Sequence, residues 1–149
     1  MGAKENITDI NIPVSDKKRF RVNGDNDKII MLNTSDMGIV SRMEKGLKEL
    51  KTLSQEVAKS EIKDESELAE FIKITDEKMR SALNGIFDFD VASVCAPSGT
   101  MLDVHEGQFM YEHIITSLTG LYENNLAEEY KKMNERINQK TAKYRGKKQ

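Results

Sequence analysis

Apolar and polar positions alternate at two different periods along the chain, and the change of period marks where strands give way to helices. In Lys18-Arg-Phe-Arg-Val22 charged and apolar residues alternate one for one, as on a half-buried strand. Asn23-Gly24-Asp25-Asn26-Asp27 follows as a turn cluster, in which Asn-Gly supplies the positive φ of a tight hairpin. Lys28-Ile-Ile-Met-Leu32 then reads as the returning strand, a hairpin that needs a helix to cover one face. From Thr34-Ser35-Asp36, good N-cap chemistry, the period lengthens. Val40, Met43, Leu47, Leu50, Ser54 and Val57 predict one amphipathic helix. Asp64 and Glu67 resemble a capping box, and Leu68, Phe71, Ile72, Thr75, Met79, Ala82, Leu83 and Ile86 predict a second helix whose end Asn84-Gly85 loosens.

Asp90 caps a short turn carrying Val91, Val94 and Cys95, and Pro97-Ser98-Gly99 stops it. Thr100 to Gly107 reads as a loop. The set Tyr111, Ile114, Ile115, Leu118, Leu121, Tyr122, Leu126, Tyr130, Met133 and Ile137 predicts a long last helix from about Gln108 to near Lys140. The fold class expected is mainly α (α+β): an N-terminal β-hairpin followed by about three amphipathic helices, the last one long. The expected division is a flexible leader over residues 1–17, a single helical domain over 18–140 and a basic tail over 141–149.

Composition adds little to this picture, but charge placement changes it. Across 149 residues 32% are charged, above the roughly 25% of an ordinary globular chain, and there is no Trp. The formal net charge of −2 conceals an asymmetry: residues 131–149 hold eight Lys/Arg against Glu135, a net of +7, and residues 1–130 carry −9. An acidic body with a basic end can associate head to tail or offer the end to an acidic partner. Nucleic acid is the weaker alternative, because Tyr144 alone interleaves the cations. The lone Cys95 excludes an intramolecular disulfide and fits a reducing compartment. No apolar run is long enough to span a bilayer, and Met1 to Ile12 lacks the pattern of a secretory signal.

Candidate chemistry is sparse. His105, His113 and Cys95 lie near acidic residues, yet no spacing directs them toward zinc, and they read as ordinary polar positions and a packed turn. Phosphate-cradling glycine motifs and catalytic signatures are absent, so no enzyme activity, cofactor or metal is expected. Tyr and Met are enriched at protein interfaces, and the last helix concentrates them. The candidate partner-binding residues are therefore Met110, Tyr111, Tyr122, Tyr130 and Met133, with Arg136, Lys140 and Lys143 adding charge.

The chain resembles the tail assembly chaperones encoded in the tail-gene clusters of long-tailed bacteriophages of Gram-positive hosts. The resemblance runs from the strand and turn Lys18-Arg-Phe-Arg-Val-Asn-Gly24, through the helix beginning at Ser35, to Lys78-Met-Arg-Ser-Ala-Leu-Asn-Gly-Ile-Phe-Asp88. It continues over Val91-Ala-Ser-Val-Cys-Ala-Pro97, Phe109-Met-Tyr-Glu-His-Ile-Ile115, Leu121-Tyr-Glu123 and the basic end Lys140-Thr-Ala-Lys-Tyr-Arg145. It implies a non-enzymatic protein of the host cytoplasm that binds the tape-measure protein and keeps its long apolar helices soluble until the tail tube polymerises around it. Some such chaperones are extended by a programmed frameshift, and Lys147-Lys148 suits an A-rich slippery codon pair. Two other readings fit the same residues: a structural tail or connector subunit of the virion, and an inhibitor of a host defence system that presents the acidic body. A homo-oligomer fits all three, and none involves a membrane.

Overall fold

A computed structural model describes residues 6–13 and 17–147, with side chains through residue 142. Among the described residues it is mainly α, with four helices and two small hairpins. The parts of the expected leader at 1–5 and 14–16 lie outside the described residues; residues 6–13 are exposed and without regular structure.

The first hairpin pairs β1 (Lys18–Arg21) with β2 (Ile29–Leu32), setting Phe20 opposite Ile30. Asn23 and Gly24 both take positive φ, 53° and 71°, and the Asp25 N–H closes the turn on the Val22 carbonyl. Alternation then sorts the strand: Ile30 and Leu32 enter the core while Met31 faces outward.

α1 (Ile39–Ala58) and α2 (Glu65–Phe87) form an antiparallel pair. Arg42, near the start of α1, donates from Nε to the Ile86 carbonyl near the end of α2, which fixes their relative direction. The expected stripe on α1 is displaced by about one residue. Ile39, Gly46, Leu50 and Leu53 are buried, whereas Val40 and Leu47 are exposed. Gly46 is the cause: a Cβ there would overlap the buried Ile86 side chain, so its bare backbone lets α2 pack directly against it. A glycine carries no weight in an apolar pattern, which drew the expected stripe toward Leu47.

Caps set the helix ends. Asp64 accepts from the Ser66 N–H at the start of α2, as its sequence position predicts. Asp36 instead closes the turn before α1, accepting from the Gly38 N–H at 2.8 Å, and α1 begins after Gly38 with no side-chain cap. The end of α2 is regular at Asn84-Gly85, where loosening is expected, and the helix runs to Phe87. Asn84 Nδ2 donates to Asp90 and its Oδ1 accepts from the Ala92 N–H, so the residue is pinned in the helix. The end comes at Asp88, left-handed at φ 51°, whose N–H returns to the Asn84 carbonyl.

α3 (Val91–Cys95) starts at Asp90, which accepts from the Ser93 N–H. The segment expected to be a loop up to Gly107 ends in a second hairpin, β3 (Val104–His105) on β4 (Gln108–Phe109), turned by Glu106 and Gly107 at φ 53° and 75°. A glutamate at the first turn position concealed it. Asp76 and Arg80, one turn apart on α2, hold this region in place. Asp76 accepts from Arg80 Nε at 3.0 Å and from the Met101 N–H at 2.6 Å, while Arg80 also reaches the Ala92 and Gly99 carbonyls.

α4 (Met110–Lys147) then crosses the body and runs about 57 Å at 1.5 Å per residue. It continues past Lys140 through most of the segment expected to be a separate tail. Its Tyr111, Ile114, Leu118 and Tyr122 close the core over Leu50, Met79, Leu83, Ile86 and Phe87. The Phe87 and Tyr122 rings meet at 6.2 Å.

Two glycine substitutions separate packing from helix propensity. Gly46→Ala is expected to lower stability by about 1–3 kcal/mol through overpacking against Ile86, despite the better helix propensity of Ala. At Gly85, also in a helix but with open space where a Cβ would go, the same change is expected to raise stability by up to about 1 kcal/mol. Thermal denaturation monitored by circular dichroism reads both; equal signs would contradict the packing assigned to Gly46.

Candidate protein-binding face

α4 divides at Asn125. Up to that residue one side of the helix is buried; from Ala127 to Ala142 every residue is exposed. Asn125 itself is buried, and its polar atoms are spent on three residues of two separate segments. Its Nδ2 donates to the Thr34 carbonyl at 3.2 Å and the Ser35 hydroxyl at 3.1 Å, and its Oδ1 accepts from Lys18 Nζ at 2.8 Å. One amide thereby joins the first strand and the approach to α1 to the last helix.

Beside this joint lies an apolar groove of about 270 Å³ between the approach to α1 and α4. Met37, Val40 and Met43 form one wall, Leu126, Tyr122 and Glu123 the other. Met37 and Val40 are 56% and 62% exposed, and they stand side by side on this groove. Thr34 and Thr119 also line the groove, and both hydroxyls are buried without a hydrogen-bond partner among the described residues. Past the groove the apolar line continues along the free half of α4 through Tyr130, Met133 and Ile137, which are 52%, 46% and 50% exposed.

The residues that the sequence marks for partner binding fall on both sides of this division. Tyr111 and Tyr122 are buried at 7% and 8% exposure, and Met110 is half-buried against the core. The correction is plain for Tyr111, which is core; Met110 packs half-buried against that core, and Tyr122 closes it while also lining the groove. Their helical spacing is that of a core, and side-chain type alone did not distinguish the two uses. Tyr130, Met133, Arg136 and Lys140 stand exposed on the free half. The side chain of Lys143 lies outside the described residues. The groove wall formed by Met37, just before α1, and by Val40 was not singled out as a candidate surface; the signal was that Val40 fits no buried stripe once Gly46 is counted as apolar.

The residues examined for chemistry lie elsewhere. His113 Nε2 donates to the His105 carbonyl at 2.6 Å, and no group of three or more His, Cys, Asp or Glu suited to a metal occurs among the described residues. Burial pushes the half-buried Cys95 thiol above its ordinary range, the Lys28 charge opposing this, so it stays protonated at neutral pH. At the groove mouth the Asp36 carboxyl is held below its ordinary value, first by the Gly38 N–H and then by Arg42, whose guanidinium bonds it at 2.9 Å. No helix among the described residues is long and apolar enough to cross a membrane.

Two outcomes test this geometry. Asn125→Leu is expected to destabilise the protein by about 1–3 kcal/mol in denaturant titration, because it leaves the Thr34 carbonyl buried without its donor. Asp36→Asn is expected to be less stable than the wild type at neutral pH. Because the folded carboxyl titrates below its ordinary 3.8, its contribution is present above that value and is lost as pH falls through the lower folded one. The gap between variant and wild type should therefore close only below pH 3.8; a gap constant from neutral to strongly acidic pH would contradict the assignment.

None of the family models, curated proteins or solved structures compared with the chain matches it, so a functional reading rests on the groove and helix face described above and on the residues of the chain itself.

Proposed function

We propose that the chain is a non-enzymatic bacteriophage tail assembly chaperone that acts in the host cytoplasm by binding the tape-measure protein. The observation that carries the reading is the apolar line on a helix that the body leaves uncovered. It begins at the groove beside Met37 and Val40 and continues through Tyr130, Met133 and Ile137. A client with long apolar helices would be held by laying one of them against such a face, in the helix-in-groove manner. Methionines suit this role because their unbranched, polarizable side chains adapt to different surfaces, and Met37, Met43 and Met133 all contribute. The resemblance of residues 18–145 to tail assembly chaperones supports the same reading.

Co-expression with the tape-measure protein of the same tail-gene cluster tests it. The tape-measure protein is expected to move from the insoluble to the soluble fraction and to co-purify with the chain. Mass spectrometry of mature virions is expected not to find the chain. Absence of both binding and solubilisation would refute the chaperone reading, and stoichiometric recovery from virions would favour a structural tail subunit instead.

A further inference from the structure

The free half of α4 has the pattern of one strand of a two-stranded coiled coil. Glu123, Leu126, Tyr130, Met133, Ile137 and Lys140 succeed one another at spacings of three and four, the seam of a heptad repeat. Four apolar positions lie at the centre, closed by an acid at one end and a base at the other. Glu129 and Arg136 flank the seam, each immediately before one of its apolar positions, Tyr130 and Ile137.

We propose that a second copy of this chain covers this face, its α4 running antiparallel so that Tyr130 of each copy meets Met133 of the other. That register places Leu126 against Ile137 of the second copy and Glu123 against its Lys140. It also brings Glu129 beside Arg136 of the second copy. Each pairing occurs twice, as two-fold symmetry requires. A parallel pair would instead set Glu123 against Glu123 and Lys140 against Lys140, so the charges choose the direction. The overlap from residue 123 to 140 is about 27 Å, some five turns. At each end Ile137 and Lys140 of one copy arrive at Leu126 and Glu123 of the other, which form the α4 wall of the groove beside Met37 and Val40. The helix end of each copy thus fills the groove of the other, and the line of exposed apolar residues is covered throughout. The pairing concerns the chain alone and does not depend on the chaperone reading; a client helix using the same face would have to displace the second copy.

Sedimentation equilibrium of the full chain without any client tests the proposal. A mass near twice 16.9 kDa is expected. Met133→Glu is expected to weaken self-association by at least about a hundredfold, since one carboxylate enters the seam from each copy. Its side chain is exposed in the single chain, so helicity by circular dichroism should be retained at concentrations where both forms are monomeric. Arg136→Glu should weaken association about tenfold by turning two attractions into repulsions. Adding Glu129→Arg to it should return the affinity to within about threefold of wild type. A chain monomeric at all concentrations, or a dimer indifferent to Met133→Glu, would overturn the proposal. A charge-swapped double variant no tighter than Arg136→Glu alone would overturn the antiparallel register. Failure of the dimer with intact tape-measure binding leaves the chaperone reading standing, and the converse result removes that reading alone.

Discussion

Everything distinctive about this protein depends on the amide of Asn125. It is the last buried side chain among those described on α4, and its bonds to Lys18, Thr34 and Ser35 tie the helix to the first strand and to the approach to α1. A buried amide left unpaired is costly, so the three partners add a directional restraint to the apolar packing at Leu118 and Tyr122. The groove exists because this joint holds the approach to α1 against α4 while leaving Met37 and Val40 outside the core. The helix beyond it inherits a fixed direction and an already formed nucleus, which lets a charged, solvent-facing segment remain helical where an isolated peptide would be marginal.

The two halves of α4 follow the same periodicity for different reasons. Before Asn125 the apolar spacing is satisfied inside the chain, by Leu50, Met79, Leu83 and Phe87 among others. After it the spacing persists with nothing among the described residues to satisfy it. Exposed apolar residues in isolation are ordinary, but a line of them continuous with a groove is a surface awaiting a partner. Self-pairing and client binding then become alternative uses of one seam. The first would keep the apolar line out of water until the second is needed, and the opposed charges of Glu123 and Lys140 would set which neighbour fits best.

Much of the architecture is legible in the residues. The hairpin follows from alternation and Asn23-Gly24, the start of α2 from Asp64, the short α3 from Asp90, and the long last helix from its repeat. What escaped lies where a polar or small residue does structural work that an apolar pattern does not register. Gly46 shifted the phase of α1, Asn84 kept α2 regular where loosening was expected, and Asp76 with Arg80 fixed the segment around Met101. The candidate face was half legible. Tyr130, Met133, Arg136 and Lys140 are exposed on the outer half of α4, but Tyr111 and Tyr122 share the same helix and the same spacing and lie in the core. Only three-dimensional cover separates them, and cover is set by where Asn125 lets the helix leave the body.

The central claim is that α4 is held by two different kinds of support, the body before Asn125 and a partner after it. Amide hydrogen exchange read by mass spectrometry along α4, over a range of protein concentrations, tests it most directly. Residues 111–125 should be protected equally at every concentration, whereas protection over 127–142 should be weak in dilute protein and rise with concentration. Equal, concentration-independent protection of both halves would contradict the account, as would rapid exchange of 127–142 in concentrated protein.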